Sequence, residues 1–157
     1  MSPESKLNFH PPAPVSLGWS DGSLAEFYSG LPVLVTGGCG FIGSNLVHAL
    51  VGLDAQVTVL DALIPGCGWH YGNLGGVESR VKISNADMRN SAAVRGLLDG
   101  VRVVFNLAGE ISHLNSMLDP QRDLAVNASA QLAFLDTLRQ HNPATTVVYA
   151  KIGRAHV

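Results

Sequence analysis

The sequence predicts an α/β fold built on a doubly wound parallel sheet, and three observations carry that expectation. Strand-sized apolar runs alternate with helix-length segments from Leu31 to Ala150, the pattern of βαβ units whose sheet is covered on both faces. The first strand runs into glycines at three-residue spacing, Gly37, Gly40 and Gly43, just before the first long helix. Charged residues are only 14% of the chain while glycine reaches 17 residues, which suits buried strands joined by tight turns and excludes disorder over most of the length. With 157 residues, one domain with a sizeable core is expected.

Each element follows from local signals. Residues 1–30, with Pro3, Pro11, Pro12 and Pro14, read as a largely irregular leader with one short helix around Ser23 to Tyr28. The folded unit is expected to start at Leu31, with a strand Val33 to Thr36, a helix Phe41 to Leu53 and a strand Gln56 to Asp61. A Gly-rich loop, Ala62 to Glu78, leads to a strand Arg80 to Asn85 and a short helix Ser91 to Leu98, capped by Ser91 and ended by Gly100. A strand Val101 to Leu107 follows, then a long helix Pro120 to His141. Asp119 before Pro120 is a cap followed by proline in the first turn, and Asn142-Pro143 closes the helix. Leu124, Ala128, Leu132, Leu135 and Leu138 recur at helical spacing and are expected to be its buried stripe. The last strand is Thr145 to Ala150, and the expected sheet order is 3-2-1-4-5.

Ten Lys plus Arg against 12 Asp plus Glu, with no basic block, lack the electrostatic footprint of a nucleic-acid or anionic-membrane binder. No apolar run approaches the ~18 residues of a transmembrane helix, and the Pro-containing start has no apolar h-region of a secretory signal, so a cytoplasmic location is the default expectation. Cys39 and Cys67 are too few for a disulfide framework and lack zinc-ligand spacing, and the six His residues show no metal spacing either. His113 reads as a solvated loop residue.

The chemistry concentrates after Val33-Leu-Val-Thr-Gly37-Gly-Cys-Gly40-Phe-Ile-Gly43. A tight turn needs the first glycine, a pyrophosphate reaches the backbone only where the second has no side chain, and helix-to-strand packing wants the third. The helix N-terminus then offers free N–H groups to phosphate. Asp61, roughly 20 residues on at the end of the second strand, can accept hydrogen bonds from an adenosine ribose and would repel a 2′-phosphate. With no Arg or Lys in the glycine loop or just after Asp61, NAD is favoured over NADP; a turn cap is the alternative role for Asp61. Asp87 can take an adenine amino group and Met88 can cover the ring, or Asp87 is a turn residue before Arg89-Asn90. Asn106-Leu107-Ala108-Gly109 ends the fourth strand with small residues that let the nicotinamide half lie against backbone, plain strand packing being the alternative. Asn127 must find partners in the apolar side of the long helix; it ties that helix to the end of the fourth strand beside the site, or makes a purely structural bond.

These residues resemble the extended short-chain dehydrogenase/reductases, in particular the NAD-dependent sugar-nucleotide epimerases and dehydratases. The likeness runs from Thr36-Gly-Gly-Cys-Gly-Phe-Ile-Gly43 through Asp61, Asn85-Ala-Asp87-Met88-Arg89 and Phe105-Asn-Leu-Ala-Gly109 to Asp119-Pro120 and Asn127. It implies a Rossmann-type sheet, truncated after about the fifth strand, with Phe41, Ile42, Asp61, Asp87, Met88, Leu107, Ala108 and Gly109 lining the cofactor. It also implies a nucleotide-sugar substrate for the full-length parent and the possibility of a homodimer. Family members oxidise a sugar hydroxyl through a Tyr whose pKa is lowered by a Lys four residues on, then epimerise, eliminate or decarboxylate. Here Tyr28 is followed four on by Pro32, Tyr71 by Gly75 and Tyr149 by Gly153, so no Tyr-x-x-x-Lys occurs. Lys151 stands where the family has a Ser/Thr turn.

After Tyr149-Ala150 the likeness stops. One reading of Ile152 to Val157 in codons is ATC GGA AGA GCA CAC GTC, which looks like the start of a widely used sequencing-library adapter, so the expectation is a frame cut at the fifth strand with a non-native tail, 151–157. The expectation is the NAD-binding portion of an epimerase or dehydratase, inactive by itself. The second is a non-catalytic dinucleotide-binding sensor of the same superfamily.

Overall fold

The structure, a computed structural model, describes residues 21–110 and 113–150. The adapter-like tail and residues 1–20 of the leader lie outside the described residues. Within them the chain runs α1 (Asp21–Tyr28), β1 (Pro32–Thr36), α2 (Phe41–Gly52), β2 (Gln56–Asp61), β3 (Lys82–Asn85), α3 (Ser91–Arg95), β4 (Val103–Asn106), α4 (His113–Leu118), α5 (Pro120–Leu124), α6 (Ala130–His141) and β5 (Thr146–Tyr149). The five strands form one sheet in the order β3-β2-β1-β4-β5. Every pair is parallel, and Val35 at the centre faces Val59 of β2 on one side and Phe105 of β4 on the other. The order matches the expected one because β1, apolar at Val33, Leu34 and Val35, is the strand best suited to burial on both faces.

Alternation along β1 divides the core in two. Val33 and Val35 join Val47, Leu50 and Val51 of α2 with Val57 and Val59 of β2. Leu34 points to the opposite face, with Val94 of α3, Val104 of β4 and Phe134 and Leu138 of α6. Helices therefore cover both faces, as the low charge and strand-sized apolar runs imply. No helix among the described residues is long and apolar enough to cross a membrane.

Several local expectations are corrected. The chain is helical from Asp21 rather than Ser23, and Gly30 N–H donates to the Asp54 carbonyl in the turn between α2 and β2. Asn90, not Ser91, caps α3, its side chain accepting from Ala93 N–H, and the helix ends at Arg95 well short of Gly100. The loop after β2 contains 3-10 turns at Tyr71–Leu74 and Glu78–Arg80. His113 opens the unanticipated helix α4 rather than sitting in a loop, and its side chain lies outside the described part. Asp119 does cap α5, accepting from Arg122 N–H at 3.0 Å.

The largest correction concerns the long helix. It is interrupted by a π-turn at Ala125–Ser129, and one extra residue per turn shifts the face that follows. Ala130, Gln131, Phe134, Thr137 and Leu138 face the sheet. Of the expected stripe only Leu138 is buried; Leu124, Ala128, Leu132 and Leu135 are exposed, Leu132 at 71%.

Candidate functional site

The carboxyl ends of β1, β2 and β4 open onto one cleft of about 1320 Å³. All twelve residues singled out in the sequence, Gly37, Gly40, Phe41, Ile42, Gly43, Asp61, Asp87, Met88, Leu107, Ala108, Gly109 and Asn127, line it. This is the crevice where the strand order reverses about β1, the usual ligand position in an open α/β sheet.

The glycine turn is shaped by contact. Gly37 adopts φ +68, and a Cβ there would come 3.1 Å from Ala108 backbone atoms, so the turn lies directly against the end of β4. A Cβ on Gly43 would collide with the Gly37 carbonyl oxygen and stand 2.8 Å from Gly38 Cα. Gly38, which the triad pattern does not mark, is as tight, with Val59 Cγ1 2.7 Å from such a Cβ. Gly40 differs: its φ is −77 and a Cβ would meet only the Gly37 oxygen at 3.3 Å. Little inside the protein demands a glycine at Gly40, which leaves the open cleft as the side that profits from the missing side chain. As N-cap of α2 it offers no side-chain cap, and no acidic residue occupies the first turn, so the helix N-terminus faces the cleft with its positive dipole end uncompensated. Phe41 and Ile42 follow as exposed apolar side chains at its rim.

Asp61 is held by the turn it faces. Cys39 N–H donates to its Oδ2 at 3.0 Å and Leu63 N–H to its Oδ1 at 3.0 Å. Leu63 takes φ +51 to do so, a left-handed conformation that costs a non-glycine residue about 1–2 kcal/mol. Each oxygen keeps a further acceptor position. The Cys39 carbonyl accepts from Asn73 Nδ2 at 2.9 Å and His70 N–H at 3.2 Å. Burial, aided by the Asp61 charge, pushes the enclosed Cys39 thiol up from 9.0 to about 11.

At the next strand end Asp87 accepts from Arg89 N–H at 2.8 Å and grips the Arg89 guanidinium, Nη2 to Oδ2 at 2.6 Å. The turn role is thus present, and hydrogen bonding from Arg89 holds the Asp87 carboxyl below its usual range. Met88 beside it is buried.

The floor between β1 and β4 is a buried polar network absent from the sequence expectations. Thr36 Oγ1 donates to Asn106 Oδ1 at 2.8 Å and accepts from Leu107 and Ala108 N–H, each at 3.0 Å. Asn106 Nδ2 donates to Gln131 Oε1 at 2.7 Å, and Gln131 Nε2 returns to the Ala108 carbonyl at 2.9 Å. The strand end lining the cleft is therefore fixed to α6. The one available signal was Gln131 itself, a polar residue four positions after Asn127 on a helix that must pack.

Asn127 sits in the π-turn and pairs with a backbone rather than reaching into space. Its Oδ1 accepts from Glu110 N–H at 3.0 Å, and its Nδ2 donates to the Glu110 carbonyl at 2.9 Å and to Asp123 Oδ1 at 2.7 Å. Glu110, unmarked in the sequence, buries its carboxylate at the cleft, 3.4 Å from Arg122. The Cys67 thiol donates to it at 3.6 Å; burial and the Glu110 charge push that thiol up from 9.0. Both cysteines are free, and among the described residues no group of three or more His, Cys, Asp or Glu is placed to hold a metal ion.

Comparison with known proteins gives one consistent pattern. Residues 33–151 match the model of the NAD dependent epimerase/dehydratase family. A dTDP-glucose 4,6-dehydratase of Mycolicibacterium smegmatis is 33% identical over 112 residues, which is 70% of this chain and 33% of that protein. A CDP-paratose 2-epimerase of Salmonella typhi is 28% identical, over 80% of this chain and 38% of that protein. Among solved structures, the epimerase Mth375 of Methanothermobacter thermautotrophicus superposes with a TM-score of 0.72 at 28% identity, over 81% of this chain and 37% of the other. The Bordetella bronchiseptica enzyme WbmF in complex with NAD+ does so with a TM-score of 0.69 at 31% identity, over 78% and 36%. The chain thus spans between a third and two fifths of the length of these relatives.

Proposed function

The chain belongs to the NAD-dependent epimerase/dehydratase family, and from that premise we propose that its cleft holds NAD and forms the cofactor half of an enzyme acting on a nucleotide-linked sugar. The observation that carries this is the convergence on one cleft of an uncapped helix N-terminus, a turn with an open face at Gly40, and a carboxylate, Asp61, held by two backbone N–H groups. Gly37, Gly40, Phe41, Ile42 and Gly43 would cradle the pyrophosphate, Asp61 the adenosine ribose, Asp87 and Met88 the adenine, and Leu107, Ala108 and Gly109 the nicotinamide half. Asn127 serves by fixing Glu110, the residue that leaves β4 for the cleft wall. Bound NAD supplies a hydride acceptor for a sugar carbon; these residues bind it, orient it and keep the strand ends dry.

The relatives' activities and the presence of UDP in a WbmF complex support a nucleotide sugar as substrate of the full-length protein. Since cofactor and substrate are small polar metabolites, the cytoplasm is the proposed location. The exposed leucines Leu124, Leu132 and Leu135 are the face on which a homodimer would form. Without a Tyr-x-x-x-Lys pair, this chain by itself should bind cofactor and turn over no sugar nucleotide.

Calorimetry with both dinucleotides tests the assignment. A 2′-phosphate set against Asp61 meets like charge at a cost of a few kcal/mol, so NAD should bind on the order of a hundredfold tighter than NADP, and Asp61→Ala should shrink that gap. Equal affinities in the unsubstituted protein would refute the role of Asp61.

A further inference from the structure

We propose that Asn73 is a positioning residue for this cleft, and that it sets the preference for an unphosphorylated ribose through a single residue of the glycine turn, Cys39. The proposal rests on the dinucleotide reading above. Asn73 lies in the 3-10 turn of the loop after β2, half-buried and removed from the glycine motif by 34 residues. Its Nδ2 donates to the Cys39 carbonyl at 2.9 Å, and its own carbonyl is met by His48 Nε2 of α2 at 3.0 Å. On the other side of the same residue, Cys39 N–H donates to Asp61 Oδ2 at 3.0 Å.

The consequence follows from peptide geometry. The Cys39 N–H and carbonyl lie in the two peptide planes that meet at its Cα, so an amide that anchors the carbonyl holds that Cα in place and narrows the directions open to the N–H. The Cys39 side chain is fully enclosed, and His70 N–H supplies a second, longer bond to the same carbonyl at 3.2 Å. Asn73 is thus the shorter of two anchors, and the only one made by a side chain among the hydrogen bonds to that carbonyl. Asn73 does not line the cleft, so its effect on a ligand runs through Cys39. Losing it frees the turn to rock, lets the Asp61 carboxylate leave its position, and weakens both the hydrogen bonds to a ribose and the repulsion of a 2′-phosphate.

The test measures NAD and NADP affinities of the full chain by calorimetry beside its thermal midpoint. Asn73→Ala should weaken NAD about 5- to 10-fold, the equilibrium worth of roughly one hydrogen bond, and leave NADP nearly unchanged, so that the preference shrinks by the same factor. Asn142→Ala is the control: it removes two 2.8 Å bonds, to the Leu98 and Val101 carbonyls at the opposite end of the sheet, and should lower the midpoint without moving the ratio. Should Asn73→Ala not fold, His48→Ala loosens the same turn and should shift the ratio in the same direction by a smaller factor. Asn73→Ala weakening both dinucleotides equally, or neither, would overturn the proposal while leaving the cleft assignment standing. Failure of the unsubstituted chain to bind NAD would overturn both.

Discussion

Replacing Thr36 by valine is nearly isosteric and keeps a β-branched residue in the central strand, so propensity and packing alone expect little change. The buried network expects otherwise. Valine removes one donor and one acceptor and strands three groups at once: Asn106 Oδ1, Leu107 N–H and Ala108 N–H. A buried polar group without a partner costs about 1–3 kcal/mol. Asn106 is fully enclosed and takes the full penalty, whereas Leu107 and Ala108 are half-buried at the cleft and regain part of theirs from water. The sum is a loss of about 2–4 kcal/mol, a large fraction of the ~5–15 kcal/mol that holds a domain together. Thr36→Ser keeps all three bonds and loses one methyl, worth about 1 kcal/mol. Urea unfolding of the three proteins at neutral pH decides the matter. Thr36→Val should be the less stable of the two variants, and a valine variant at least as stable as the serine one would refute the claim that this hydroxyl holds the strand ends in place.

Three further outcomes are expected. Gly43→Ala should lower the thermal midpoint because its methyl collides with Gly37, with overpacking costing about 1–3 kcal/mol; Gly40→Ala should melt near the parent yet bind NAD more weakly, as calorimetry will register. The Cys39 thiol, raised from 9.0 to about 11 in the folded state, contributes stability that is fully present below pH 9 and is lost as pH rises from 9 towards 11, by about 2–3 kcal/mol; denaturant titrations across that range should show the decline, and Cys39→Ala should abolish its slope. Leu132→Glu should cost less than ~0.5 kcal/mol as an exposed substitution, while Phe134→Ala should cost about 3–5 kcal/mol; the reverse ranking in urea would restore the leucine stripe as the buried face.

What was legible in the sequence was local or periodic. The strand order followed from which runs were apolar, and the glycine turn from spacing within a few residues. Asp61 was marked by its distance from that turn. The unreadable parts share a physical cause, since they depend on partners far along the chain or on a break in period. Leu124, Leu132 and Leu135 fit a helical repeat that the π-turn interrupts, and the repeat holds only while each turn has 3.6 residues. Asn90 and Ser91 are equally good caps by type, and the choice depends on which backbone first turns helical. Thr36, Asn106 and Gln131 look like unrelated polar residues until the sheet puts β1 beside β4 and α6 beneath them. Glu110 and Asn73 carry no motif at all, since each is defined by a contact made in space.

The π-turn at Ala125–Ser129 has a genetic consequence. Just before it and within it the chain supplies Asp123 and Asn127 to the cleft wall, and downstream it supplies Phe134 and Leu138 to the core. Deleting Ala128 or Ser129, the two residues of the turn after Asn127, would restore an ordinary helix and rotate everything before the deletion by about 100° relative to everything after it. Such a deletion would swing Asn127 away from Glu110 while Phe134 stayed seated. A loss of a single codon is therefore enough to detach the cleft wall from its support and leave the core intact, so the geometry of the site and the packing of the domain can drift apart, or be selected, independently of each other.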